Sequence, residues 1–186
     1  MRVIIRMVVV LTAICAASGL TLSVIYRVTK VPIEYQTIKF VKEPAVKKVL
    51  TGYENDPILD RVKLTIGTDE RGRPVELTIF PAKRGGKTFA VAIEGKGKGY
   101  HGTIGVMVGV SRDETLTGIA ITTQSETPGI GSRVTEEAFT SRFAGLPAKG
   151  ELSVDGISGA TYSSRGVMAA VNQAVSYATK FKGELF

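Results

Sequence analysis

The 186-residue sequence predicts an α+β fold: an antiparallel sheet packed with helices and preceded by one N-terminal transmembrane helix. Three observations carry this. Met7 to Tyr26 holds no charge, two later stretches alternate apolar and polar residues with period two and three strand-like runs follow them, and a C-terminal stretch repeats its apolar residues at three and four. Strands come first and helices after, which is the order of a layered α+β domain.

The uncharged run is twenty residues long, about 30 Å as a helix, which matches the hydrocarbon thickness of a bilayer. Ile14 stands before Cys15 where a lipoprotein signal needs a small residue, and the apolar run continues past the small Ala16-Ala17-Ser18 to Ile25, longer than a cleavable signal core. A retained anchor over residues 1–30 is therefore expected, with Cys15 as an apolar filler. Arg2, Arg6 and the terminal amine favour a cytoplasmic N-terminus, against Arg27 and Lys30 at the other end. That leaves the rest of the chain on the extracytoplasmic side. Residues 31–51 carry Pro32 and Pro44, the mark of a linker, with a short helical possibility at Ala45 to Leu50.

The domain proper is expected over 52–186. Val62 to Ile66 and Val75 to Phe80 alternate around Asp69-Glu70-Arg71-Gly72, a hairpin pattern. Strands follow at Thr88 to Ile93, Gly102 to Val110 and Leu116 to Thr123, giving an antiparallel meander. Glu136 to Phe143 reads as a short helix with Thr135 as N-cap and Gly145 as stop. Val167, Met168, Val171, Ala174, Val175 and Ala178 mark one face of a helix from about Ser163 to Lys180.

Composition excludes several function classes. Hydrophobic residues at 44% and charged ones at 22% allow a buried core and rule out disorder. Of the 24 basic residues, four lie in the acid-free first thirty; the remainder nearly balance 17 acidic ones and show no aromatic-interleaved patch, so nucleic acid is set aside. One cysteine and one histidine, Cys15 and His101, cannot build a Cys/His zinc centre, an iron-sulfur cluster or an intrachain disulfide. Redox chemistry would have to come from something bound.

Gly97-Lys98-Gly99-Tyr100-His101-Gly102 fits a dinucleotide fingerprint by letters, yet a strand and not a helix follows it. Its glycines instead suit a tight turn or the close approach of another chain or ligand. Gly156-Ile157-Ser158-Gly159-Ala160 lacks the second glycine of a nucleophile elbow, and the only histidine precedes the serine. Asp155-Gly156-Ile157-Ser158-Gly159-Ala160-Thr161-Tyr162-Ser163-Ser164 runs straight into the long helix. Small residues that admit a close ligand, the hydroxyls of Ser158, Thr161, Ser163 and Ser164, and the N–H groups of a helix start together describe an anion cradle. A loop capping a helix explains the same letters equally well.

Asp155 followed by Ser158-Gly159-Ala160-Thr161 resembles the D-x-x-[ST]-G-A-T flavinylation motif of the FMN-binding domain family. Gly97 to Gly102 before a strand, Glu126-Thr127-Pro128-Gly129-Ile130-Gly131, which is similar to the family's E-T-P-G-[LI]-G loop, and the single N-terminal helix agree with it. Within the family, the order and modest length look most like the G subunits of Rnf electron-transport complexes, related to the C subunits of Na⁺-translocating NADH:quinone oxidoreductases. Gln124 departs from the histidine that relatives often carry two residues before the glutamate.

The resemblance implies covalent FMN held by a phosphoester on Thr161 and attached by a separate Mg²⁺-dependent flavin transferase. Ser158, Gly159, Ala160, Ser163 and Ser164 would line the cofactor site, and Asp155 would serve the transferase. Glu126, Thr127, Pro128 and Gly129 would wall the flavin, or else form a rigid turn. It further implies an electron-relay subunit of an ion-translocating ferredoxin:NAD oxidoreductase in the cytoplasmic membrane, with other membrane subunits of the Rnf-type complex as partners and no independent catalytic site. Another flavin-carrying membrane electron chain, or a non-redox anchored scaffold, are the alternatives.

Overall fold

The computed structural model describes residues 1–68 and 72–186, in two units, Met1–Phe40 and Val41–Phe186. The first unit is the helix α1 (Arg2–Thr37) with the start of a π-turn (Ile38–Lys42). It is a candidate membrane span, with a mean hydropathy of 2.3 over its most apolar window. Its large side chains, from Val3 to Val28, are exposed, as an element solvated by lipid requires. The Pro-bearing stretch read as a linker is helical: α1 continues through Pro32, and Pro44 sits in the first turn of α2 (Glu43–Val49), where a missing N–H costs nothing.

In the second unit five strands form one antiparallel sheet in sequence order: β1 (Val62–Thr68), β2 (Pro74–Arg84), β3 (Lys87–Lys98), β4 (Thr103–Ser111) and β5 (Leu116–Thr123). This is the expected meander. Of the expected turn at 69–72, only Gly72 lies among the described residues. Register places Ile79, Ile93, Val108 and Ile119 side by side across β2 to β5, each at most 3% exposed. Side chains of this kind contribute about 1.5–3 kcal/mol apiece when fully buried. The row faces α4 (Thr161–Lys180), which buries Val167, Ala170, Val171, Ala174 and Val175 against it. The other sheet face presents Phe80, Ala82, Ala90, Ala92 and Met107 to Ala45, Val46 and Val49 of α2 and to Leu50, which follows it. With both faces covered, β3 and β4 read as nearly continuous apolar runs.

Gly95 and Gly97 belong to β3, not to a turn. They are glycines because α4 lies directly on them: a Cβ at Gly95 would fall 1.9 Å from the Ala170 carbonyl oxygen, and one at Gly97 1.9 Å from that of Gly166. This contact sets the height of α4 above the sheet, and with it the position of Thr161.

Between β5 and α4 the chain makes a 3₁₀ turn (Gly131–Thr135), α3 (Glu137–Thr140), a second 3₁₀ turn (Ser141–Phe143) and a long loop, and α5 (Lys182–Leu185) ends the chain. Thr135 is not the N-cap of α3. Its hydroxyl donates back to the Ser132 carbonyl at 2.9 Å because residues 131–135 are already coiled, and Glu136 takes the cap position.

Candidate functional site

The site forms where three segments meet: the Gly99 to Gly102 turn after β3, the Glu126 to Gly131 loop after β5, and the start of α4. A cleft of about 260 Å³ opens there, lined by Tyr100, Thr127, Ile130, Thr161 and Tyr162, with Glu126, Gly131, Gly159, Ala160 and Ser163 completing it.

The motif-bearing loop is fastened at three points. Asn172 of α4 accepts the Leu152 N–H at 2.7 Å and donates to its carbonyl at 3.0 Å. Arg142 donates to the Asp155 carbonyl at 2.6 Å. The Ser164 hydroxyl oxygen accepts the Ile157 N–H at 3.0 Å. Ser158 and Gly159 are left as an exposed tip, and Gly159, at φ 81°, turns the chain into the helix. Thr161 is the first residue of α4 and is exposed. The first backbone bond of the helix start runs from Ser164 to Ala160, and no side chain caps this end. The N–H groups of Thr161, Tyr162 and Ser163 therefore precede the helical ladder, at the end of the helix that Thr161 opens. Arg165, also exposed, stands one turn along from Thr161 on the same side of α4. An anion bonded at Thr161 would meet a positive dipole end and a guanidinium.

Two of the hydroxyls expected in the cradle are engaged elsewhere. Ser164 faces inward to Ile157, as above. Ser163, 2% exposed, donates to Glu126. Pro128 and Gly129 lie at the outside of their loop, where the Gly129 N–H donates to the Ser132 hydroxyl at 2.9 Å; Thr127, Ile130 and Gly131 form the wall instead. Gln124 accepts the Glu126 N–H at 2.7 Å and so shapes the turn that enters this loop.

Glu126 is the hub. Its carboxylate accepts the N–H groups of Tyr100 at 3.1 Å and His101 at 3.0 Å as well as the Ser163 hydroxyl, joining all three segments. The aromatic rim is the part that sequence reasoning missed: the Tyr100 and Tyr162 rings stand 6.0 Å apart at 49°, and His101 packs edge-on to Tyr100 at 4.9 Å. Both tyrosines are about two-thirds exposed, an unusual state for aromatics beside a cleft, and only their position between small residues hints at it.

Burial pushes the Glu126 carboxyl up, but the Ser163 hydroxyl and the His101, Tyr100 and Gly102 N–H groups outweigh it and hold it below the usual range. Glu94 on β3 behaves alike: burial raises it, and the Thr122 hydroxyl and Lys42, at 2.6 and 2.9 Å, bring it below. Carboxyls depressed in this way add stability that is whole above the unfolded value of about 4.3 and is lost as pH falls through the folded-state values. Thermal melts are expected to keep their midpoint from about pH 7 to about 5 and to drop below ~4. A midpoint unchanged on full acidification would contradict this.

Residues 99–176 match the model of the FMN-binding domain family. The G subunit of the ion-translocating oxidoreductase complex of Methanosarcina acetivorans is 30% identical over 186 residues, covering 96% of both chains. The chain belongs to this G-subunit family. The G subunit of the proton-translocating ferredoxin:NAD(+) oxidoreductase complex of Clostridium ljungdahlii is 25% identical over 93% of this chain and 90% of its own. Among solved structures, Shewanella oneidensis NqrC superposes with a TM-score of 0.52 at 25% identity, over 76% of this chain and 71% of that one. The C subunit of the Na(+)-translocating NADH-quinone reductase of Parabacteroides distasonis, at 23% identity and the same TM-score over 66% and 76%, shares the fold. The family model begins at Gly99 and ends in α4, so it contains every residue that lines the cleft.

Proposed function

We propose that this chain is a membrane-anchored flavoprotein subunit that carries FMN through a phosphoester on Thr161 and relays electrons between neighbours in an Rnf-type ferredoxin:NAD oxidoreductase complex. One observation carries the reading: the exposed Thr161 hydroxyl opens a helix with no side-chain cap, at the edge of an aromatic-rimmed cleft. FMN in that place would supply one- and two-electron redox chemistry.

The chain's own residues hold and orient it. A phosphodiester on Thr161 keeps one negative charge, which the start of α4 stabilises by about 0.3–1 kcal/mol, with Arg165 adding a cation. Tyr100, Tyr162 and Ile130 offer apolar surface to a planar ring. At about 260 Å³ the cleft is smaller than the ~300–1,000 Å³ of sites that envelop a small ligand. It would grip a free flavin poorly and leave a tethered one open to a partner. That geometry suits a relay and not an enzyme with its own substrate pocket. Attachment falls to a separate flavin transferase, to which exposed Asp155 and Ser158 are accessible.

The helix α1 serves as a single-pass anchor in the cytoplasmic membrane, and the Arg2 and Arg6 end favours an extracytoplasmic FMN domain. The likeness to NqrC supports a second reading, a covalent-FMN subunit of a quinone-linked chain. Purification in mild detergent separates the two: the first predicts co-purification with ferredoxin- and NAD-reactive subunits and a yellow colour that survives denaturation. Recovery with quinone-reducing subunits would favour the second, and a colourless chain would defeat both.

A further inference from the structure

We propose that Glu126 is a fixed negative charge in the wall of the cleft that holds the bound flavin's reduction potential low; this rests on the FMN reading above. Glu126 is 5% exposed and is one of the residues that line the cleft. Among the described residues no Lys, Arg or His pairs with it, and its partners are neutral: the backbone N–H groups of Tyr100 at 3.1 Å, His101 at 3.0 Å and Gly102, and the Ser163 hydroxyl. A carboxyl buried without a cation ordinarily takes up a proton. Here donors converge on it and keep it ionised.

The surroundings are cut to this group. A Cβ at Gly99 would fall 2.5 Å from one carboxylate oxygen, and one at Gly131 3.0 Å from the other. Pinning two loops to a helix does not call for a charge, since a neutral amide or hydroxyl could bridge the same N–H groups without the desolvation of an anion. The charge has an effect that a pin lacks. An electron that enters the cleft ahead of its proton adds negative charge there, and in a partly water-excluded site an adjacent carboxylate opposes it far more strongly than in bulk water. The oxidised, uncharged ring is indifferent to it. The carboxylate therefore disfavours reduction.

The test compares full-length wild type, Glu126→Gln and Glu126→Asp, each loaded by a flavin transferase, checked for in-gel flavin fluorescence and titrated spectroelectrochemically. The midpoint potential is expected to shift positive in Glu126→Gln and to stay at the wild-type value in Glu126→Asp. Equal potentials in all three chains, or equal shifts in both variants, would overturn the proposal. If neither variant takes up flavin, the redox-induced infrared difference spectrum of the wild type decides. Reduction should perturb carboxylate bands without raising a protonated-carboxyl band; the opposite pattern, or no carboxylate change, removes the assignment. A wild type without bound flavin would instead refute the FMN reading and this inference with it.

Discussion

Replacing Thr161 with alanine is expected to abolish covalent flavin completely while leaving the domain folded. The two effects separate because of where the residue stands. Thr161 is exposed at the first position of α4, and among the described residues its hydroxyl makes no hydrogen bond. Alanine is at least as good a helix former, so the cost to stability is expected within about 0.5 kcal/mol, the usual range for surface changes. What disappears is the one oxygen to which phosphorus would be joined. In-gel fluorescence read beside a thermal melt checks both halves: a dark band with an unchanged midpoint is expected, and a band that still fluoresces would contradict the attachment site.

The substitution with the largest effect on the fold is expected at Gly97, which is buried beneath α4. Alanine there puts its Cβ 1.9 Å from the Gly166 carbonyl oxygen and 2.9 Å from the Ala170 nitrogen. Both are backbone atoms of α4, so no side-chain rotation relieves the clash, and the helix must lift. Lifting it opens the layer in which Val167, Ala170, Val171, Ala174 and Val175 meet the sheet. We expect a loss of about 3 kcal/mol or more, at the upper end of overpacking costs. In a unit of this size that lowers the melting midpoint by roughly 6–12 °C. Flavin loading should fall with it, because the same contact positions Thr161. A Gly97→Ala protein that melts within a degree or two of the wild type would show that α4 is not seated on this glycine.

These two residues also mark how far the letters reach. The sheet was legible because alternation in β1 and β2 and the strand-like apolar runs of β3, β4 and β5 mark its strands, and α4 because its buried positions recur at helical spacing. Gly95 and Gly97 were not. Glycine is poor in strands, so a glycine ladder reads as a turn unless one knows that a helix backbone lies over it, and that is a tertiary fact. The hydroxyl run before α4 misleads for a related reason. Ser163 and Ser164 precede Val167 by four and three residues, which puts them on the buried side of a helix already under way from Thr161. Thr161, two residues earlier, stays outside.

Glu126 was visible as part of a loop motif, but its role was hidden. Its partners are backbone N–H groups and a serine, which carry no sequence signature of a carboxylate site. The segment with Pro32 and Pro44 looked like a linker because proline discourages helix in general. In the second case it occupies a first turn that tolerates it. Thr161 itself was marked by its motif, and the structure adds the reasons of position: exposure, an uncapped helix start and a cleft.

The most direct test of the account is the intact mass of the purified full-length chain, followed by fragmentation of the peptide that contains Asp155 to Arg165. The prediction is a mass greater than that of the sequence by one FMN less one water, with the added group localised to Thr161. An unmodified mass from cells that express a flavin transferase, or the group found on any other residue, would contradict it.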